Sequence, residues 1–201
     1  MKIKMLAMMA IAAMVLVTTS CNKVPQVEID AAKAAVDQAQ MAGANVYLPD
    51  QYAQIQDSMK AVLEQVEVQK SKLFGRYGDI KAKLERIKVQ SAQVKTNTEV
   101  RIQEIKQEIQ TTMAEVTTIL EENKALMAKA PKGKEGKAAL EMMTQEMTLI
   151  EGTVQEANQL LAQGDLLATL DKAKAAKEKA LGINSELKEV VEKYTKKTGK
   201  K

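Results

Sequence analysis

The sequence predicts an all-α protein: an elongated antiparallel helical hairpin, coiled-coil-like, with an additional short helix toward its N-terminal end. Three observations carry this. Strong helix formers (Ala, Lys, Glu, Gln, Leu, Met) dominate the chain beyond residue 21, and only Pro25, Pro49 and Pro131 interrupt its 201 residues. Apolar positions recur at alternating spacings of three and four, which places them on one face of a helix. One Phe, four Tyr and no Trp supply little bulk for a thick globular core. Aliphatic and alanine seams between helices are the expected means of burial.

The first segment is not part of that fold. Lys2 and Lys4 precede an unbroken apolar run over 5–17, then Thr18, Thr19, Ser20 and Cys21, the one cysteine of the chain. A charged start, a short apolar segment and small residues before a cut make a secretory signal peptide over 1–20, and the run is shorter than the roughly 20 residues a membrane span needs. The pattern resembles the bacterial lipoproteins, with Thr18 where an aliphatic residue is usual. That resemblance implies a diacylglycerol on Cys21, palmitate-type acyl chains and membrane retention, and Asn22 after the cysteine implies the outer membrane, facing the periplasm. The alternative is an ordinary secreted protein with an incidental cysteine. One thiol cannot form an internal disulfide.

Residues 21–26 read as a tether. The first helix is expected over 27–42, where Ala31, Ala32, Ala34, Ala35, Ala39 and Ala42 permit close packing, and Gly43, Ala44 and Asn45 end it. Pro49 suits the first turn of the next helix, and Asp50 complements its positive end. That helix is expected over 49–128. Gly75 and Gly78 lie within it and cost about 1 kcal/mol each relative to alanine, enough for a kink. Its later part carries a seam: Ile80, Leu84, Ile87, Ser91, Val94, Thr98, Ile102, Ile105, Ile109, Thr112, Val116, Ile119, Asn123 and Leu126. The doubled spacing of four at Thr98 and Ile102 is a stutter that locally unwinds a supercoil.

The basic, Pro- and Gly-containing stretch 129–136 reads as a hairpin tip. A third helix over 137–163 presents Leu140, Met143, Met147, Ile150, Val154, Ala157 and Leu161. Gly164 is expected to cap it, and Asp165 to open a fourth helix over 165–194. With the chain folded about residue 132, Val116 faces the neighbourhood of Thr148, Ile105 faces Leu160, Val94 faces Leu170, and Ile87 faces Ala176. Helices three and four then form one return arm that ends near Gly75. The result is a single helical domain over 27–196 with a basic tail over 195–201. A compact four-helix bundle broken at Gly75 is the alternative.

The lipobox-like Cys21, the helical alanines Ala35, Ala39 and Ala42, and the run Tyr47, Leu48, Pro49, Asp50, Gln51 and Tyr52 opening a long helix resemble the bacterial lipoproteins grouped as domain of unknown function 4398, over about residues 27–94. The match implies a helical envelope lipoprotein and no named activity.

Signal removal takes two of the 30 basic residues, Lys2 and Lys4, and none of the 26 acids, which leaves a net charge of +2. Near balance, secretion and scarce aromatics argue against nucleic acid as a partner. Histidine is absent, and with it imidazole as base or metal ligand. Glu64 and Glu67, Glu104 and Glu108, and Glu121 and Glu122 lie among lysines, as on a solvated helix face. No phosphate-cradling or calcium-type loop occurs. The expectation is a protein that is not an enzyme, with no catalytic residue, cofactor or metal.

Met142, Met143 and Met147 read as core filler, the alternative being a soft-metal or adaptable peptide-binding face. Leu73, Phe74 and Tyr77 are expected to pack on the end of the last helix near Val190, Val191 and Tyr194, the alternative being a partner-binding spot around the glycine kink. The lysine-rich C-terminus ending at Lys201 is a cationic arm suited to headgroups or peptidoglycan. It resembles the murein lipoproteins, which implies possible attachment of Lys201 to peptidoglycan. Three functions stay open: a membrane-anchored spacer or protein-interaction scaffold with an envelope protein partner, a peptidoglycan-binding or peptidoglycan-linked lipoprotein, and an adaptor regulating an envelope enzyme or transporter.

Overall fold

A computed structural model describes residues 23–131 and 133–199. Among these residues there is no strand, and the all-α class is the one the sequence predicts. Six helices succeed one another: α1 Gln26–Met41, α2 Ala44–Tyr47, α3 Pro49–Lys70, α4 Gly78–Lys129, α5 Lys134–Gln163 and α6 Leu166–Thr198. In place of the single domain expected over 27–196, the chain divides into two compact units whose boundary, Arg101 and Ile102, lies within α4.

The first unit is an up-down-up arrangement of α1, α3 and the first half of α4. Gly43, at a left-handed φ of 91°, reverses the chain after α1. Pro49 occupies the first turn of α3, where its missing N–H is no loss. Antiparallel α1 and α3 are tied by Tyr52, whose hydroxyl donates to Gln40 Oε1 at 2.9 Å. Lys83 Nζ donates to Gln65 Oε1 at 2.7 Å, and Asn97 Nδ2 to Gln51 Oε1 at 3.4 Å, so α3 and α4 are also antiparallel. Ile29, Ala32, Val36 and Ala39 of α1 meet Ile55, Met59, Val62 and Val66 of α3 and Ile80, Leu84, Ile87 and Val94 of α4 in one core.

The helix expected over 49–128 is therefore two helices, broken at 71–77. The glycines alone would only have kinked it. The break arises from the seam of α3, where Tyr52, Ile55, Met59, Val62 and Val66 recur at three and four and find a partner in the seam of α4 once the chain reverses. Burying two apolar faces against each other outweighs a few helical hydrogen bonds lost at the turn.

The second unit repeats the plan with the rest of α4, α5 and α6. The hairpin between α4 and α5 forms as expected, with Lys124 Nζ 3.1 Å from Glu151 Oε1 across it. Val116, Leu120, Met147, Ile150, Ala176, Ala180, Ile183 and Leu187 make its core. At the end of α5, Gly164 takes a left-handed φ of 82°, with its N–H bonded to Leu161 O and that of Asp165 to Leu160 O, both at 3.0 Å. Asp165 Oδ1 accepts from Ala168 N at 3.1 Å and caps α6. Both residues thus fill the roles expected of them.

The direction of α6 differs from expectation. The chain reverses a second time at these caps, so α5 and α6 are antiparallel, with Lys172 Nζ 2.6 Å from Glu156 Oε2. Parallel alignment of α6 with α4 is set by Lys174 to Glu108 at 2.7 Å, Lys177 to Glu115 at 2.6 Å and Lys188 to Glu122 at 3.9 Å. The pairings of Val94 with Leu170 and Ile87 with Ala176 give way to a cluster in which Ala176 and Ala180 meet Val116 and Leu120. The alanines of α6 allow a third helix to sit in the groove of the α4 and α5 pair, which a single return arm would leave open.

Candidate functional site

Cys21 and Lys201, the two residues the sequence marks for attachment, lie outside the described residues, as do the signal segment 1–20 and Asn22. The residues just after them are held against the first unit. Val24 packs on its core, Pro25 is buried, and Ile29 N donates to Pro25 O at 3.0 Å. Helix α1 already begins at Gln26, so the tether expected over 21–26 is shorter and partly packed.

The start of α1 stands level with the start of α4. Lys81 Nζ lies 2.7 Å from Glu28 Oε1, and both residues belong to the first turns of their helices. This hydrogen bond, chiefly, holds the Glu28 carboxyl below the usual carboxylate range. Since α4 begins where the turn 71–77 ends, that turn and Lys23 occupy the same end of the unit.

Local contacts give the turn a defined path. Ser71 Oγ donates to Val68 O at 2.9 Å, Lys72 N to Gln69 O at 3.2 Å and Arg76 N to Gln69 Oε1 at 3.1 Å. Gly75 is buried so closely that an added Cβ would stand 2.8 Å from Gln69 O. Tyr77 turns inward and is part of the core. Leu73 and Phe74 do the opposite, being 90% and 74% exposed. The packing expected of this trio on the end of the last helix is thus replaced: one ring serves its own unit, and two side chains face outward. Beside them a groove of about 480 Å³ is lined by Val68, Phe74 and Ile80 together with Lys72, Arg76 and Lys83 and one acid, Asp79. Residues 68–78 contain Lys70, Lys72 and Arg76 and no acid.

The second unit carries the other basic end. In the turn after α4, Lys137 N donates to Gly133 O at 2.8 Å. The Pro131 carbonyl oxygen crowds the point where a Cβ on residue 136 would be, a place only glycine fits. Within the basic tail expected over 195–201, the helix continues through Thr198. Ion pairs of Lys193 with Glu189 and Lys196 with Glu192 line that final stretch, and the second, mainly by its hydrogen bond, keeps the Glu192 carboxyl low. Because α6 runs parallel to α4, its end lies beside the α4 to α5 turn within this unit, not at the end where residue 102 enters.

Of the carboxylates expected on a solvated face, four are engaged by lysines: Glu67 by Lys70 at 2.7 Å, Glu108 by Lys174, Glu121 by Lys124 at 3.7 Å and Glu122 by Lys188. Among the described residues no group of three or more His, Cys, Asp or Glu could hold a metal ion, and no helix is long and apolar enough to cross a membrane. Of the methionines on α5, Met147 is buried, Met143 is half-buried and Met142 is 65% exposed. The seam of α3 is the feature that sequence reasoning missed, and the exposure of Leu73 and Phe74 goes against the packing expected of them. The first was available as spacing. The second depended on where the chain reverses.

Comparison with protein-family models, with curated proteins and with solved structures gives no match for this chain.

Proposed function

We propose that the chain is a lipid-anchored protein of the bacterial envelope, acting without catalysis as a helical spacer or protein-interaction scaffold. One observation carries this reading: Lys2, Lys4, the apolar run 5–17 and the small residues before Cys21 lead, by Val24, into a chain already docked on a helical bundle. Acyl chains on Cys21, at about 0.8 kcal/mol per buried methylene, would hold that bundle at the membrane surface stably when more than one is present.

Labelling with a palmitate analogue and the mass of the N-terminal peptide test the anchor. Acylated Cys21 at the mature N-terminus is expected, and a free thiol there would refute the reading. Crosslinking in intact cells then identifies the neighbour and separates scaffold from adaptor.

A second reading, attachment to or binding of peptidoglycan through the C-terminal lysines, is favoured by the position of the α6 end beside the basic α4 to α5 turn. Muramidase digestion and peptide mass analysis would reveal a muropeptide on Lys201.

A further inference from the structure

We infer that the turn 71–77 is a second membrane contact, which seats Leu73 and Phe74 among the headgroups of an anionic phospholipid bilayer while Lys72 and Arg76 meet the phosphates. The inference rests on the lipid-anchor reading of Cys21. Its own grounds are structural. Phe74, the only phenylalanine of the chain, and Leu73 next to it are exposed at a turn whose other large side chain, Tyr77, is buried. Leu73, the more exposed of the two, gains little from packing on its own unit. A turn with two adjacent apolar side chains between Lys72 and Arg76, its nearest acids being Glu67, which is paired with Lys70, and Asp79 at the start of α4, matches the interface of an anionic bilayer, where apolar groups enter the headgroup layer and lysine and arginine stay at the phosphates.

Position selects the bilayer over other occupants. The ion pair between Glu28 and Lys81 sets the start of α1 level with the start of α4, so Lys23 and the turn share one end of the unit. Cys21 precedes Lys23 by two residues, at most about 7 Å of chain. An acylated Cys21 therefore brings a membrane to this end and to this turn. Two contacts, one covalent and one reversible, would restrain the tilt of the first unit where a single anchor leaves it free to swivel.

The chain has no tryptophan, so Phe74→Trp introduces a single reporter at an exposed position. The acylated protein carrying it is placed in vesicles of phosphatidylcholine alone or mixed with phosphatidylglycerol. A blue shift and quenching by brominated lipid are expected in the anionic vesicles, and weakly or not at all in the neutral ones. The Lys72→Glu, Arg76→Glu pair should remove the shift. In the unacylated chain made with Cys21→Ser, Leu73→Ser with Phe74→Ser should weaken binding to anionic vesicles about tenfold or more, with the helical circular dichroism unchanged. An emission spectrum in anionic vesicles identical to that in buffer overturns the inference. So does a blue shift that appears without vesicles and grows with protein concentration, which would mean contact with a second copy. If cellular Cys21 proves unmodified, the anchor reading fails by itself. The unacylated chain on anionic vesicles then decides the turn: a shift sustains the contact, and its absence ends it.

Discussion

The Asn184 side-chain amide donates to Asn123 Oδ1 at 2.8 Å inside the second unit, and Asn123 Nδ2 in turn donates to the Ala180 carbonyl at 3.0 Å. Both residues are buried, at 5% and 0% exposure. Each amide occupies a seam position where an aliphatic residue would pack, so the pair fixes the parallel register of α4 and α6, much as a buried asparagine specifies register in coiled coils.

Removing one partner should be costly, and removing both should not. Asn184→Ala leaves the Asn123 carbonyl short of its donor, and a loss of about 1–3 kcal/mol in urea denaturation is expected. Asn123→Leu combined with Asn184→Leu should recover most of that stability. Broadened side-chain NMR signals in α6 would then report the lost register. A double variant as unstable as the single one would show that apolar side chains cannot replace the amide pair at this seam.

Ser91 makes the complementary case in the first unit. Its hydroxyl is buried without a hydrogen-bond partner, at a seam position between Ile87 and Val94. Ser91→Ala should raise stability by about 1 kcal/mol, from relief of an unsatisfied group and a better helix former. Leu84→Ala, about two turns earlier on the same seam and fully buried, should lower it by about 2–5 kcal/mol. If Ser91→Ala destabilises as well, the hydroxyl has a partner such as a buried water.

The turn between α5 and α6 should depend on backbone conformation at one residue. Gly164 holds a left-handed φ that costs an L-residue about 1–2 kcal/mol, and a Cβ there would meet no atom within 4 Å. Gly164→Ala is therefore expected to destabilise by about that much through strain alone, and Gly164→Asn by less, since asparagine tolerates this region. Equal losses for the two would point to lost contacts, not strain.

These residues also mark how far the sequence could be read. The seam from Ile80 to Leu126 was legible because one spacing rule governs it, and each of its positions is buried or half-buried. The caps at Gly164 and Asp165 were legible because their chemistry is local. A cap specifies an end and a start, however, and not the direction taken next. That direction was set by the alanines of α6 against Val116 and Leu120, a tertiary matter. The break at 71–77, legible at Gly75 only as the alternative to a kink, was likewise decided by tertiary contact, and with it the outward placement of Leu73 and Phe74. The reading of Cys21 rests on the signal pattern alone, since the residue lies outside the described ones.

The pH dependence of stability should be one-sided for each ion pair. Glu28 and Glu156 have carboxyls held low, first by hydrogen bonds from Lys81 and Lys172. A lowered carboxyl contributes stability that is present above its unfolded value and lost as pH falls through its folded one. Lys124 is held above the ordinary lysine range, first by its hydrogen bond to Glu151, so its contribution is present below the unfolded lysine value and lost as pH rises through the folded one. Between these limits neither contribution changes, and the pairs should leave stability flat around neutrality. All of these groups are exposed, so salt should weaken both edges. Carbon-13 NMR of the Glu28 carboxyl provides the check: in Lys81→Met it should titrate at higher pH than in the unaltered chain, and the difference should shrink in strong salt. Coincident titrations in the two proteins would mean that Lys81 does not hold Glu28 in solution, and that the level starts of α1 and α4 are maintained by the core alone.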